Sequence, residues 1–320
     1  MFDVPILLIL WKRPASTRRL IDSLRPLRPS CLYVACDGPD PTSPTVADMV
    51  NRTREVVDVA IDWSPSIQRF YSPVNQGCRD AVSRAITWFF ECVQEGIILE
   101  DDCIPHPDFF PYCASLLERY RNDHRVFSIC GSNFQRGKVR GTASYYFSIH
   151  ADSWGWATWR RAWSAYPLAE VNWFSFRDSH QLENVFPIAV ERQYWRYILD
   201  QLFIHHYPSA WDYQWMLAGW MNNALHAWPN VNLIANIGHD GDGTHTFGLN
   251  AFSSTPIHAL QTIEHPVAFV PDRQADAYAF WRRRSGIRFA VQLTLGPLYS
   301  ILSGPLRLLL YAYRFMGGRF

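Results

Sequence analysis

The sequence predicts an α/β protein built on a mostly parallel, Rossmann-like β-sheet that is flanked by helices. Strand and helix patterns alternate along the first 130 residues, and most strand segments are continuous apolar runs, as expected of parallel strands covered on both faces. The chain has 320 residues, of which 48% are hydrophobic and 15% aromatic, so it can bury a large core and is not disordered. Its formal charge is +1, without a basic stripe before the C-terminus, which argues against a nucleic-acid partner.

Five segments of the first half are predicted as strands. Val4–Leu10 is an apolar run that is too short to span a membrane, and Cys31–Cys36 ends at a turn-forming Asp-Gly-Pro. Ile67–Ser72 is a short strand, Gly96–Leu99 is another apolar run, and Val126–Cys130 closes the series. Because helical segments lie between them, these strands are expected to be joined by right-handed crossovers.

Four helices are predicted in the same half. Ser16 is expected to cap a helix that runs to about Leu24, and residues 46–60 form a second helix. From about Gly77 onward apolar residues recur at helical spacing, so one face of a third helix is expected to be buried. Residues 109–120 show the same amphipathic pattern and form the fourth helix.

The regular alternation fades after Gly131, where tryptophan, tyrosine and histidine become frequent. We predict one large domain with a nucleotide-binding half over residues 1–130. An aromatic-rich half that faces the acceptor substrate follows over 131–250 and packs on the same sheet. Beyond it we predict an irregular connector over 251–285 and a basic amphipathic tail over 286–320.

The cysteines and the N-terminal segment indicate the compartment. The seven cysteines are an odd number, include no Cys-x-x-Cys pair and lie mostly in or beside apolar runs, which favours buried reduced thiols. The first apolar run lacks a preceding basic region and a small-residue cleavage site, so a secretory signal is not expected. Both observations predict a cytoplasmic location.

Three consecutive carboxylates, Glu100, Asp101 and Asp102, follow the apolar run Gly96–Leu99. Ligands of open parallel sheets bind beyond the carboxyl ends of the strands. Adjacent acids at such an edge suit Mn²⁺ or Mg²⁺, which bind one or two carboxylates together with substrate phosphates and water. A solvated acidic turn before Pro105 is the alternative, and the position after a buried strand favours the metal.

Two further segments have features of a nucleotide site. Asp37 ends the second strand, where its carboxylate can accept hydrogen bonds from a nucleobase, although Asp-Gly is also a common turn. Asn75 and Gly77 lead into a helix that carries Arg79 in its first turn, and such helix starts attract phosphate. A surface helix with an exposed arginine is the alternative. The sequence lacks the glycine patterns of dinucleotide-binding and P-loop proteins.

Six motifs, in order along the chain, resemble those of the inverting GT-A-fold glycosyltransferases, the group that includes N-acetylglucosaminyltransferase I and its bacterial relatives. They are an opening strand with a basic residue (ILLILWKRP), a strand that ends in a base-contacting Asp (VACDGP), a DXD-like acidic metal motif (ILEDDC), a Gly-Trp motif (SWGWATWRRAW), a Trp-Asp motif (WDYQW) and a late loop (NIGHDGDGTHTFG). The likeness covers roughly residues 1–250. The spacing within WDYQW departs from the pattern of the animal enzymes.

The resemblance implies a metal-dependent hexosyltransferase that moves a sugar from a nucleotide-diphosphate sugar, UDP-linked, with inversion at the anomeric carbon. It implies that Asp102 binds the Mn²⁺ or Mg²⁺, and that Glu100 and Asp101 orient the donor sugar and the ribose. It also implies that Arg13 and Asp37 lie against the nucleotide. The departing nucleotide diphosphate is already a good leaving group, so it needs charge neutralisation by the metal rather than a proton.

The same resemblance implies roles on the acceptor side. Asp212 is the catalytic base, and flanking tryptophans partly desolvate it; a helix N-cap is the alternative. His245, in the late loop, is a candidate metal ligand, with an exposed loop histidine as the alternative. Trp154, Trp156 and Trp211 are predicted to face the acceptor, and packed core tryptophans are the alternative.

The C-terminal tail predicts contact with a membrane surface. After Asp276 the sequence has seven arginines and no acidic residue, and residues 289–306 carry no charge. Gly-Pro pairs interrupt this segment, which favours short interfacial helices on an anionic inner leaflet over a membrane span. A tail folded onto the catalytic domain, or a dimer interface, is the alternative. Peripheral membrane association suits an acceptor that is a growing surface glycan, as in polysaccharide biosynthesis, or a lipid-linked sugar.

Two other functions compete with glycosyl transfer. A sugar-phosphate nucleotidylyltransferase also places acids and a metal at a sheet edge, but it normally has a Gly-rich basic loop after the first strand, and WKRPASTRR contains no glycine. A nucleotide-sugar- or glycan-binding protein that has the pocket without turnover is the non-enzymatic alternative.

Overall fold

The predicted α/β class is confirmed by the computed structural model, in which helices flank a large sheet. The residues that the structure describes are 2–63, 65–207, 209–238, 255–282, Phe289 and Leu293.

Eight strands form the central sheet, and two short strands pair separately. The central strands are β1 (Ile6–Leu10), β2 (Cys31–Cys36), β3 (Ser66–Tyr71), β4 (Glu95–Glu100), β6 (Val126–Cys130), β7 (Tyr145–Ser148), β8 (Trp156–Trp159) and β9 (Leu225–Pro229). The separate antiparallel pair is β5 (Cys103–Pro105) and β10 (Ile234–Asn236). The five predicted strands are all present, and two of them, β2 and β6, have the predicted bounds.

The sheet has the spatial order β3-β2-β1-β4-β8-β6-β9-β7. Strands β1 to β4 are mutually parallel, whereas β8 lies antiparallel between β4 and β6. Strand β9 is parallel to β6, and β7 is antiparallel to β9 at the edge of the sheet. The carboxyl ends of β1, β2, β4 and β6 therefore point to the same edge.

Ten helices of the described residues lie between and after these strands. They are α1 (Pro14–Leu24), α2 (Pro44–Ala60), α3 (Cys78–Cys92), α4 (Phe109–Tyr120), α5 (Arg160–Trp163), α6 (Tyr166–Asp178), α7 (Gln181–Val185), α8 (Ala189–His205), α9 (Asp212–Met221) and α10 (Arg273–Arg282). The apolar face predicted for α3 is buried, and α4 has the predicted bounds and a buried apolar face.

The start of α1 differs from the prediction that Ser16 caps it. The helix begins at Pro14, with Arg13 at the N-cap position, and no side chain caps it. Proline suits the first helical position because its fixed φ is helical and its missing N–H would have no helical partner there. This earlier start places Arg13 at the end of the loop that follows β1, where its side chain turns toward β4.

The second half packs on the same sheet, as predicted, through β7, β8 and β9. The segment predicted to be an irregular connector is irregular over residues 255–270 but then forms α10. Asp272 begins this helix by accepting a hydrogen bond from the backbone N–H of Ala275 (2.8 Å), and Ala275 and Phe280 are buried beneath it. The buried residues of α10 are Ala275, Asp276 and Phe280, so the helix packs on the sheet without the apolar pattern that would have predicted it from the sequence.

Most of the predicted tail, residues 286–320, lies outside the described residues. Phe289 is described, and its ring packs against Tyr194 and Tyr197 of α8 with centroid distances of 5.3 and 6.0 Å. Within the described part of the chain, no helix combines the length and the apolar character that crossing a membrane requires.

Candidate functional site

A cavity of about 260 Å³ opens at the carboxyl edge of the parallel half of the sheet. Part of its wall is apolar and comes from strand ends and the first two turns of α3; these residues include Leu10, Ala35, Phe70, Ala81 and Val82. The remaining wall is polar and includes Arg13, Asp37, Asn75, Glu100 and Asp101. A cavity with an apolar surface and a few convergent polar groups has the general character of a small-molecule site.

The strand register explains why these residues meet. Leu10 lies opposite Cys36 in the β1–β2 pair, and Ile9 lies opposite Glu100 in the β1–β4 pair. The loops that follow β1, β2 and β4 consequently start at the same level of the sheet. Ligands of open α/β sheets bind at this edge.

Arg13 supplies the positive charge beside the acidic triplet. Its Nη1 donates to Asp101 Oδ1 (2.8 Å) and to Asp102 Oδ2 (2.9 Å). The backbone N–H of Trp11 donates to the other oxygen of Asp101 (2.9 Å). The side chain of Asp101 is buried and each of its oxygens accepts one of these hydrogen bonds, whereas Asp102 is more accessible.

Burial and mutual repulsion shift the pKa values of these groups. Burial raises the pKa of Asp101 to about 6, against the lowering effect of Arg13. Burial, and then the charges of Asp102 and Asp101, raise the pKa of Glu100 well above its ordinary value. Burial acts to lower the pKa of Arg13, but the carboxylates of Asp101 and Asp102 outweigh burial and raise it. The triplet therefore favours a bound positive charge.

Asp102 is also held closely by the chain that follows β10. The backbone N–H of Ile237 donates to the Asp102 carbonyl oxygen (2.9 Å), which brings the end of β10 against the acidic triplet. Gly238 comes so close that a Cβ on it would overlap Asp102 Oδ2. Only glycine allows this approach, and residues 239–254, which include the rest of the predicted late loop, follow directly.

Asp37 organises the turn that leads into α3. Its Oδ1 accepts hydrogen bonds from the backbone N–H groups of Gly38 (2.7 Å) and Gln76 (3.0 Å), and its Oδ2 accepts from Asn75 Nδ2 (2.9 Å). Burial raises the pKa of Asp37, although these backbone donors oppose the shift. The carboxylate thus lines the cavity and fixes the loop that carries Asn75.

The first turn of α3 borders the cavity, but Arg79 points elsewhere. Gly77 precedes the helix with a φ of 80°, a conformation that glycine adopts without strain, and Gly77 and Cys78 both line the cavity. Arg79 Nη2 donates to Glu170 of α6 (2.7 Å) and to Gln214 of α9 (3.2 Å). The structure therefore disagrees with the phosphate-facing role predicted for Arg79, because its side chain ties α3 to the second half of the chain.

Asp212 is close enough to Glu100 and Cys78 for its charge to affect the pKa of both. Burial, then Glu100 and then Asp212 raise the pKa of the Cys78 thiol to about 12, and Asp212 also contributes to the raised pKa of Glu100. Ser209, shortly before α9, lines the cavity directly. The predicted alternative of a helix N-cap is not realised, because Trp211 occupies the N-cap position and Asp212 is the first residue of the helix.

The predicted acceptor tryptophans separate into two groups. Trp156 is fully buried and its ring stacks on that of Trp211, which is also buried. These two rings belong to the core, so the structure disagrees with their predicted contact with an acceptor. Trp154 is partly exposed, and its backbone N–H donates to Asp152 at the same sheet edge (3.3 Å). Its contact with an acceptor stays a prediction.

The predicted metal site lies only partly within the described residues. His245 belongs to 239–254 and is outside them. Among the residues that the structure does describe, no three His, Cys, Asp or Glu side chains converge as metal ligands. Asp102 nevertheless fits the chemistry of Mg²⁺ or Mn²⁺ at a nucleotide site, since one accessible carboxylate with phosphate and water oxygens makes up such a coordination shell.

Several wall residues were not predicted. Trp11 binds Asp101 through its backbone and Gly38 O through its indole N–H (3.1 Å). Phe70 and Cys78 line the cavity, and Gly238 adjoins Asp102. Trp11 and Cys78 each adjoin a predicted site segment in sequence, which is a usable signal, whereas the contribution of Phe70 depends on β3 pairing with β2.

Comparison with known proteins identifies no family. No protein-family model and no curated protein matches the chain. Solved structures with limited similarity include UDP-glucose pyrophosphorylase complexed with UDP-glucose (9% identity, 51% of this chain and 79% of that one, TM-score 0.30). A second is 4-diphosphocytidyl-2C-methyl-D-erythritol synthase from Anaerococcus prevotii (7% identity, 59% of this chain and 86% of that one, TM-score 0.33). A third is HddC from Yersinia pseudotuberculosis (11% identity, 50% of this chain and 78% of that one, TM-score 0.29). Similarity at this level establishes neither a family nor an activity.

Proposed function

We infer that this chain is a metal-dependent inverting glycosyltransferase that uses a nucleotide-diphosphate sugar, UDP-linked, and transfers the sugar to a hydroxyl of a glycan, a lipid-linked sugar or a protein. The observation that carries this proposal is the cavity at the carboxyl edge of β1, β2 and β4, which gathers Arg13, Asp37, Glu100 and Asp101 around an apolar wall. Asp102 adjoins it through its contact with Arg13. Its volume of about 260 Å³ suits a nucleoside with part of its diphosphate.

The donor is proposed to bind with its base against the apolar wall near Asp37 and Asn75. Phe70, Ala81 and Val82 supply the apolar surface there. The diphosphate would then reach toward Arg13 and Asp102, where a guanidinium and a metal-binding carboxylate lie side by side. Glu100 and Asp101 keep their proposed contacts with the donor sugar and the ribose.

Asp102 is the described residue proposed to hold Mn²⁺ or Mg²⁺, and the ion, when bound, neutralises charge that develops on the departing diphosphate. Asp212 is proposed to accept the proton of the acceptor hydroxyl. The hydroxyl oxygen forms a bond to the anomeric carbon from the face opposite the diphosphate, and the carbon–oxygen bond to the diphosphate breaks with its electron pair. These opposite faces produce inversion.

A panel of nucleotide sugars tests the proposal. Purified full-length protein is titrated with UDP-, GDP-, CDP- and TDP-linked sugars, with and without Mn²⁺, and binding is followed by calorimetry. Product analysis then distinguishes slow hydrolysis to free sugar and nucleotide diphosphate from release of a sugar 1-phosphate on adding pyrophosphate. The first product pattern supports glycosyl transfer, the second supports the nucleotidylyltransferase alternative, and binding to none of the panel overturns the proposal.

The proposed location is the cytoplasm, peripheral to the inner face of the membrane, through the tail over residues 286–320. The seven arginines and the absence of acids after Asp276 support contact with anionic lipid. Flotation with vesicles of phosphatidylglycerol and phosphatidylcholine, compared with phosphatidylcholine alone, tests this. Equal recovery with both vesicle types would contradict an electrostatic contact.

A further inference from the structure

Arg13 is placed unusually for a residue that is expected to bind a nucleotide. It lines the cavity, yet the same nitrogen, Nη1, donates to both Asp101 and Asp102. Its backbone is fixed at the N-cap of α1, where its carbonyl oxygen accepts from the N–H of Thr17 (2.9 Å). The side chain is mostly buried, so this guanidinium is a built part of the site and not a mobile surface arginine.

The contact with Asp102 bears directly on cation binding. Asp102 Oδ2, the oxygen that Arg13 contacts, is also the atom that a Cβ on Gly238 would overlap. A divalent cation that approached this carboxylate alone would meet the positive charge of Arg13 at short range. A nucleotide diphosphate brings negative oxygens on which a guanidinium can form two parallel hydrogen bonds, which is a better partner for Arg13 than one carboxylate oxygen.

We propose that Arg13 is an exchangeable counter-ion, which neutralises Asp102 in the empty site and moves to the diphosphate when the nucleotide binds. The divalent cation and the nucleotide consequently bind together, and the cation alone binds weakly. No bond is made or broken in this step; one charge-assisted hydrogen bond is replaced by others. The inference rests on the proposed function, because it needs a diphosphate ligand.

The proposal predicts opposite effects of one substitution. In Arg13→Gln, the charge that repels the cation is lost, so Mn²⁺ alone should bind about 10-fold more tightly. The same variant loses its contact with the diphosphate, so UDP should bind about 10-fold or more weakly in the presence of Mn²⁺. If the role of Arg13 were purely structural, the substitution would weaken the binding of both Mn²⁺ and UDP. Arg13→Lys retains the positive charge but lacks the planar guanidinium. Mn²⁺ alone should therefore still bind weakly to this variant, and UDP should bind more weakly than it does to the wild type.

The test uses the full-length protein and two binding measurements. Free Mn²⁺ is quantified by electron paramagnetic resonance during titration, with and without UDP, and UDP binding is measured by calorimetry at fixed Mn²⁺. Arg18→Gln is the matched control, because Arg18 lies on the same helix and pairs with Asp22 on the surface. It should leave both affinities unchanged.

The outcomes separate the two proposals. Tighter Mn²⁺ and weaker UDP in Arg13→Gln support the exchange. Weaker or unchanged Mn²⁺ binding in Arg13→Gln, together with the same result in Arg13→Lys, overturns the exchange. The proposed function still stands in that case if the wild-type protein binds a nucleotide. A wild-type protein that binds neither UDP nor any other member of the nucleotide-sugar panel overturns both.

Discussion

Two groups of buried charge lie in the two halves of this molecule, and they are built differently. In the acidic triplet at the end of β4, Glu100 and Asp101 line a cavity of about 260 Å³, and Asp101 and Asp102 pair with Arg13. In the second group, Glu191 of α8 and Asp276 of α10 lie near His150, and the adjoining cavity is only about 10 Å³, enough for about one water. The first group has room for a ligand, whereas the second can only serve the fold.

The hydrogen bonding supports the same contrast. Both oxygens of Asp101 accept hydrogen bonds, one from Trp11 and one from Arg13. In the second group, Glu191 Oε1 and Asp276 Oδ2 have no hydrogen-bond partner within the described residues, although Asp276 Oδ1 accepts from Ser148 (2.6 Å). Substitutions in the first group should therefore change binding and turnover, and those in the second should change stability.

The largest expected effect is that of Asp212→Asn on turnover. Asparagine cannot accept the proton of the acceptor hydroxyl, so transfer should fall by about 10²–10⁴-fold. Donor binding and the thermal midpoint should stay the same, because the substitution is nearly isosteric. Product formation from a radiolabelled nucleotide sugar measures transfer, and calorimetry measures donor binding and the thermal midpoint.

Asp276→Asn is the matched control from the other buried group and should retain turnover. Unchanged turnover in Asp212→Asn would remove Asp212 as the base. A loss of turnover in Asp276→Asn would show that the second group also serves the reaction, and the contrast between the two halves would fail.

Much of the first half was predictable from the sequence, because there local patterns and tertiary structure agree. Apolar runs such as Cys31–Cys36 are buried strands, and the helical spacing of α3 and α4 gives their buried faces. The edge at which Asp37 and Glu100 meet follows from parallel strand order. The helix start at Pro14 was predictable in principle from its residue type, but the potential cap at Ser16 competed with it.

The second half was less predictable because its decisive contacts are between distant residues. A tryptophan in a Gly-Trp motif can face a ligand or a core, and only the packing of α9 on β8 makes Trp156 a core residue. The partners of Arg79, Glu170 and Gln214, lie 91 and 135 residues away in sequence. No local pattern specifies such pairs.

The second prediction concerns the pH dependence of stability. Burial, and then the charge of His150, lower the pKa of His226 to about 3. In the unfolded chain the imidazole of a histidine has a pKa of about 6.5. Between pH 3 and pH 6.5 the unfolded state therefore binds a proton on His226 that the folded state does not bind. Stability from this group is therefore complete above pH 6.5 and is lost as the pH falls toward 3, with a slope of about 1.4 kcal/mol per pH unit.

Urea unfolding between pH 7 and pH 5 measures this slope. In His226→Gln the contribution should disappear, while the side-chain amide can still bond Ser128, the present partner of His226 (2.7 Å). His180→Gln, at an exposed position, is the control and should retain the wild-type slope. Equal slopes in wild type and His226→Gln would show that His226 is not held neutral by burial.

The third prediction compares two glycines whose Cα atoms each lie close to a titratable side chain. A Cβ on Gly219 would overlap His226 Nε2, and a Cβ on Gly238 would overlap Asp102 Oδ2. Gly219→Ala should lower the free energy of unfolding by about 1–3 kcal/mol through overpacking and should leave nucleotide binding unchanged. Gly238→Ala should weaken Mn²⁺-dependent UDP binding by about 10-fold, because it displaces the carboxylate of Asp102, an effect of about 1.4 kcal/mol.

Each glycine variant serves as the control for the other, and both are measured by urea unfolding and by calorimetry with UDP and Mn²⁺. The expected result is a crossed pattern, with each variant changing one quantity. If both variants altered stability and neither altered UDP binding, the loop at Gly238 would be part of the fold and not of the site.

The smallest expected effect is a gain in stability from Asp276→Asn. Burial raises the pKa of Asp276, and the charge of His150 and the hydrogen bond from Ser148 oppose this without cancelling it. An acid whose pKa is higher in the folded state stabilises the protein only at low pH, and this contribution is lost as the pH rises through the folded-state pKa. At pH 7 the ionised side chain therefore costs stability, which a neutral amide avoids while still accepting from Ser148.

Urea unfolding should show a gain on the order of 1 kcal/mol for Asp276→Asn at pH 7, and the gain should vanish near pH 3, where the wild-type carboxyl is protonated. Asp178→Asn, at an exposed position beside Arg177, is the control and should not gain stability. A loss of stability in Asp276→Asn at pH 7 would mean that attraction to His150 outweighs burial. The second group would then be an ion pair that holds α10, and it would resemble the first group more closely than its small cavity suggests.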